Sequence, residues 1–219
     1  MVKVDRSYPA PKSLDVESKK NDGVYNSLDV VKRLKEDFHN KCYICEMDDL
    51  QDAVVEHLIP HEGGKHPELK YAWENLFWAC NHCNYVKNQK KYSAGIIDCC
   101  KEDPEELIAF NLISDNVLVL AKDSSNAKAV LTAELIFEVF NRKNTGMRTI
   151  ASQDRLSRLL KEMNIFMTTL EEWRLNKKSV FIRTRLKSML RRESRFAAFK
   201  RCYIRENFNN DEELVEFVS

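Results

Sequence analysis

The stretch 54-VVEHLIPHEGGKHPELKYAWENLFWACNHCNYVKNQKK-91 brings together Glu56 and His57, the loop histidines His61 and His66, the amides Asn75 and Asn84, and the pair Cys80 and Cys83. An ordinary apolar core needs none of these groups, whereas metal binding and proton transfer use all of them. Upstream, a KCYICE knuckle supplies a second Cys-x-x-Cys pair, Cys42 and Cys45, and residues 46–79 separate the two pairs. Four thiolates so spaced suit tetrahedral zinc, in a closed site with no place for substrate. Buried unligated thiols and a redox pair are the alternatives. A zinc site of this type supplies about 10 to 16 kcal/mol of apparent binding energy in finger peptides, enough to hold a small segment together with little core. Cys99, Cys100 and Cys202 read as small buried hydrophobes.

Around these ligands the residue pattern predicts short elements. DAVVEHLIP, rich in β-branched residues and ending at Pro60, predicts a strand. HEGGKHPELK predicts a loop, on which His61 and His66 read as solvent-exposed. NHCNYVKNQKK predicts the first turns of a helix, and Tyr71, Trp73, Phe77 and Trp78 are expected as core packing. Upstream, SLDVVKRLKEDFHN spaces Leu28, Val31, Leu34 and Phe38 as the apolar face of a helix with Ser27 as N-cap. A hairpin turning at Ser114-Asp115-Asn116 is expected next, and from Asn126 onward the pattern is helical.

The fold class that results is a mostly helical α+β protein in three parts: an N-terminal arm over 1–26, a zinc-clamped core over 27–100 and a helical region over 101–219. With 219 residues, 32% of them charged and 43% hydrophobic, the chain buries a sizeable core. A net charge of +1 removes any global electrostatic argument for nucleic acid or membrane. Seven cysteines, an odd number, do not form a secreted disulfide framework. The N-terminal MVKVDRSYPAPKSLDVESKK has no apolar signal region, and a cytosolic protein is expected.

The combination CYIC, EHLIP with a nearby GG, ENL, and CNHCNYVK resembles the HNH nuclease family over about Lys41 to Lys91. The resemblance implies a ββα-metal core: a β-hairpin and helix around one divalent cation, with the four-cysteine zinc clamp outside the catalytic centre. It implies His57 as general base, Asn75 as the residue that holds the base's loop or ring, and Asn84 and Glu56 as ligands of a catalytic Mg²⁺ or Mn²⁺. Asn84 stands where the family often has His, and Glu56 where Asp is commoner. His82, inside the Cys pair, is a weaker competitor for the third position. The chemistry is consistent: a neutral imidazole accepts a proton from water, and a hard cation prefers oxygen ligands. Lys87 shares a helical face with Asn84 and is expected to meet a phosphate.

More loosely, through IIDCCKEDPEELIAF and VFNRKNTGMR, the chain resembles the PtuB-type HNH effectors of Septu and retron-associated antiphage defence. That implies an ABC-type, PtuA-like ATPase partner and, in the retron setting, a reverse transcriptase with its RNA and DNA.

Between Arg174 and Arg205 lie twelve basic residues and one acidic residue, Glu193. Arg183, Lys187, Arg191 and Arg195 recur every fourth residue and predict one basic stripe on a helix. Phosphate contact, docking to an acidic partner and plain solvation all remain open for it. A non-catalytic zinc module binding nucleic acid or a defence-complex partner is the rival to the nuclease.

Overall fold

The computed structural model describes residues 1–141 and 145–219. Ten helices and four strands are seen among them: α1 Lys12–Glu17, α2 Leu28–Asp37, β1 Ala53–His57, α3 Pro67–Lys70, β2 Leu76–Cys80, α4 Asn81–Lys87, α5 Pro104–Leu107, β3 Ile108–Ile113, β4 Asn116–Ala121, α6 Ala127–Asn141, α7 Gly146–Leu175, α8 Val180–Leu190, α9 Ala197–Asn207 and α10 Glu212–Phe217. The result is a mostly helical α+β protein with two small antiparallel sheets. No helix among the described residues is long and apolar enough to cross a membrane. Residues 142–144, within the VFNRKNTGMR resemblance, lie outside the described residues.

The pairing β1–β2 organises the site. Ala53 faces Cys80, Glu56 faces Phe77 and His57 faces Leu76. Every residue of β2 is buried, which anchors the strand, and β2 runs directly into α4. The connection between the strands carries α3, which begins with Pro67 at a position where a missing N–H costs nothing. Trp73, Phe77 and Trp78 are buried as expected. The pairing β3–β4 turns at Ser114 and Asp115, with Ser114 in the left-handed region at φ 53°.

Three sequence expectations change. In α2 the buried stripe runs through Val30, Leu34 and Phe38, while Leu28 is 68% exposed: positions four apart share a face, and Leu28 lies two residues out of phase with that set. The N-terminal arm is not an outer layer, because Met1 and Val2 are core residues and the Met1 α-amino group lies 2.5 Å from Glu46 Oε1. Arg6 donates to the carbonyls of Trp73 (2.9 Å) and Leu76 (2.8 Å) and stacks over the Trp73 and Phe77 rings. Finally, the single helix expected to carry Arg183 to Arg195 is broken between α8 and α9, where Lys41 Nζ donates to the carbonyls of Arg192 and Ser194 and satisfies backbone that the helix would otherwise pair. One hydrophobic cluster extends from Met1 to Val218, so the arm, the Cys-bearing segment and the helical region share a core.

Candidate functional site

Cys42 and Cys45 sit in a knuckle closed by hydrogen bonds from Cys42 N to Met47 O and from Glu46 N to Cys42 O, both 2.9 Å. Glu46 turns the chain at φ 60°. Cys80 ends β2 and caps α4, its sulfur accepting from Cys83 N. All four cysteines are buried and their sulfurs lie within 4.8 Å of one another, with 3.9 Å between Cys45 and Cys80. Zinc–sulfur bonds of about 2.3 Å place tetrahedral sulfurs about 3.8 Å apart, so this set can hold a metal ion such as zinc.

Arg155, from the middle of α7, donates Nη2–H to Cys80 Sγ at 3.1 Å and Nη1–H to its own helix at Ala151 O. It is 8% exposed. Burial alone would lower the guanidinium's pKa; the sulfurs of Cys45, Cys80 and Cys83 reverse the sign and hold the charge more firmly. Hydrogen bonds from Cys42, Cys45 and Cys83, aided by Arg155, push the Cys80 thiol well down, whereas burial pushes Cys42 and Cys83 up. Arg155 thus favours an anionic sulfur at Cys80. Nothing in the sequence singles out Arg155.

At the opposite end of the hairpin His57 borders a cavity of about 300 Å³, together with Tyr25, His61, Glu62, Asn84 and Asn88. His57 Nε2 lies 3.1 Å from the Lys70 carbonyl. A carbonyl only accepts, so Nε2 carries the proton and Nδ1 is the basic nitrogen. Burial lowers the His57 pKa to about 4, assisted by His61, Lys87 and Lys70 against the Lys70 hydrogen bond, so the ring is neutral at neutral pH. Asn75, 6% exposed, accepts from Ile59 N (2.8 Å) and donates to Ile59 O and Leu69 O (both 2.9 Å). It ties together the two ends of the loop that presents the Lys70 carbonyl. Asn84, in α4, is half-buried at the same cavity. Tyr25, which carried no sequence signal, packs its ring 4.5 Å from that of His57.

The expected roles of Glu56 and Lys87 need correction. Glu56 is 3% exposed and both its oxygens are engaged: Oε2 accepts from Tyr43 Oη (2.7 Å) and Oε1 from Lys87 Nζ (2.6 Å). Lys87, also 3% exposed, donates in addition to the His57 carbonyl at 2.9 Å. A buried carboxylate requires a partner, and Lys87 is that partner rather than a phosphate ligand. A divalent cation on Glu56 would meet an ammonium already bonded to the same carboxylate, so the residues as placed do not fit the expected Glu56–Asn84 site for Mg²⁺ or Mn²⁺. Among the described residues only the four thiols form a cluster of three or more His, Cys, Asp or Glu ligand atoms.

His82 is buried with Nε2 3.0 Å from the Val139 carbonyl, a packing role. His66 is exposed beside Glu68, as expected for a loop histidine. His61 differs: it is half-buried against His57, ring centroids 4.5 Å apart. Cys99 and Cys202 are buried, and Cys100 partly so.

The single basic stripe is not formed. Arg183 pairs with Glu213 of α10 and stacks over Phe217, and Lys187 lies over the same ring at 5.5 Å. Because α8 stops at Leu190, Arg191 falls in the following turn, exposed, and Arg195 reaches Asp48 at 3.0 Å. The acidic C-terminal segment thus neutralises part of the basic helix within the chain. Compared with models of known protein families and with curated proteins, the chain matches none.

Proposed function

We propose that the chain is a nucleic-acid endonuclease of the HNH type, with His57 as general base and the four cysteines as a structural zinc clamp. The observation that carries this reading is the placement of His57: its ring borders a polar cavity, its Nε2–H is tied to the Lys70 carbonyl, and burial keeps it neutral at neutral pH. General-base catalysis contributes typically about 10²- to 10⁴-fold when the base's pKa lies near the working pH, so cation or substrate binding that raises the His57 pKa from about 4 would strengthen it. The water's oxygen bonds to phosphorus as one P–O ester bond breaks with its electron pair. The water's proton passes to His57 Nδ1, and the departing oxygen takes a proton from solvent. Asn75 holds the His57 loop, and the thiol clamp fixes the start of the helix that carries Asn84 to the cavity.

Two further features support the reading: the order hairpin then helix within the Cys-bearing segment, and the motif resemblance over Lys41 to Lys91. DNA is the favoured substrate; RNA, including structured RNA, stays open because these groups attack a phosphodiester without reading the sugar. An effector role in antiphage defence, beside an ABC-type ATPase and a reverse transcriptase, rests on the resemblance alone.

One observation favours a second reading, a non-catalytic zinc module that binds nucleic acid or a partner: the Lys87 ammonium stands against the carboxylate that the HNH resemblance assigns to the catalytic cation. Cleavage of supercoiled plasmid, single-stranded DNA and structured RNA by the zinc-loaded protein, with and without Mg²⁺ or Mn²⁺, separates the two. The nuclease reading predicts cleavage of at least one substrate and its loss in His57→Ala. Equal behaviour of the two proteins supports the binding module.

A further inference from the structure

His57 and His61 use their hydrogen bonds in opposite ways. The Lys70 carbonyl takes the Nε2–H of His57 and leaves Nδ1 bare. At His61 the partner is the Gly64 backbone N–H, 2.9 Å from Nδ1. A backbone N–H only donates, so His61 Nδ1 must be unprotonated and the neutral ring carries its proton on Nε2. The turn that delivers this N–H is built for it: Glu62, Gly63 and Gly64 adopt φ 50°, 67° and 93°, left-handed backbone that glycine adopts readily. The two rings meet edge to face at 4.5 Å and border one cavity. The hydrogen bonds therefore leave an acceptor nitrogen on one ring and a donor nitrogen on the other.

We propose that His61 is a second catalytic residue, a neutral imidazole that donates Nε2–H to a non-bridging oxygen of the scissile phosphodiester while His57 takes the proton of the attacking water. The inference rests on the nuclease reading above and assigns that site a donor beside its general base. Glu56, bonded to Lys87 and Tyr43, is not free to hold a cation against the negative charge that grows on the phosphate oxygens. A fixed neutral donor stabilises that charge, as preorganised donors do in other phosphoryl and acyl transfers. Because the Gly64 N–H occupies Nδ1, the ring acts by donating a hydrogen bond rather than by releasing a proton.

The test compares two substitutions that separate donor from ring. His61→Phe keeps an aromatic ring against His57 and Tyr25 but has no N–H; His61→Gln loses the ring and keeps an amide donor. With a DNA or RNA substrate that the wild type cleaves, His61→Phe is expected to lower kcat by roughly 10²- to 10³-fold with little change in KM. His61→Gln is expected to stay within about tenfold of wild type, a fraction of that loss. Thermal melting of both variants checks that the fold is retained. The reverse order, an active Phe variant and an inactive Gln variant, would assign His61 to ring packing and overturn the proposal. Equal effects of the two substitutions, or no effect of either, would also overturn it. Long-range ¹H–¹⁵N spectra of the wild type provide a readout free of activity: His61 must carry its proton on Nε2, and a proton on Nδ1 sinks the inference. A wild type inert on every substrate would instead bring down the nuclease reading, and this proposal with it.

Discussion

At the Ala53–Cys80 end, the β1–β2 hairpin meets four buried thiols and a guanidinium; at the His57–Leu76 end, it borders a cavity whose polar lining is two histidines, two asparagines, two glutamates and a tyrosine. Both ends place a cation beside potential anions, with opposite consequences. Arg155 donates to the Cys80 sulfur and offsets part of the charge the thiolates would carry. Lys87 instead bonds directly to a carboxylate oxygen of Glu56, the group that the resemblance assigns to a cation. The same device, a buried ion contact, supports metal binding at one end and opposes it at the other.

The largest test of this contrast lies at the thiol end. Structural zinc sites supply about 10 to 16 kcal/mol, so Cys83→Ser is expected to abolish stoichiometric zinc and lower the melting temperature sharply. Elemental analysis and calorimetry report both. Full zinc retention in the variant would remove Cys83 from the ligand set.

Next in size is the pair at the other end. Lys87→Met leaves the Glu56 carboxylate buried without its counter-ion, and breaking such a pair costs about 3–5 kcal/mol. The double substitution Glu56→Met with Lys87→Met is expected to recover most of that loss, because it leaves no uncompensated charge. Chemical denaturation measures the cycle, and an unaltered stability in Lys87→Met would mean that Glu56 is not held as described.

A smaller effect is expected from Arg155→Met. Loss of an outer hydrogen bond to a metal ligand typically costs about 10- to 100-fold in affinity, readable by competition with a chromogenic zinc chelator. The His57 tautomer should be unchanged, since the two ends are separate.

The smallest effect concerns α8. Replacing Arg183 removes a half-exposed ion pair with Glu213, worth at most about 1 kcal/mol, and a ring contact with Phe217. If nucleic acid uses this face, Arg191, exposed in the turn after α8, should lower the salt slope of binding by about one when replaced by Ala. An unchanged slope would remove this face from the interface.

What the sequence made legible follows its range. Ligand spacing, the β-branched run and the His57–Pro60 segment are local patterns, and they place the thiol knuckle, β1 and the imidazole directly. The long-range partners were not legible. Glu56 is completed by a lysine 31 positions away, and Cys80 by an arginine 75 positions away on a helix whose pattern is otherwise unremarkable. The break between α8 and α9 depends on Lys41, 151 positions distant from Arg192, so an every-fourth-residue pattern that looks continuous in sequence is interrupted in space. The placement of His61 beside His57 required the geometry of a left-handed turn, which the GG dipeptide only hinted at.

In the proposed reaction a neutral His57 activates water at a nucleic-acid phosphodiester. Single-turnover cleavage in ¹⁸O-labelled water, followed by mass spectrometry of the products, tests it most directly. The account predicts one solvent-derived oxygen on the product phosphate with wild type and no cleavage with His57→Ala. Label incorporation at the same rate in His57→Ala, or products ending in a cyclic phosphate without label, would contradict it.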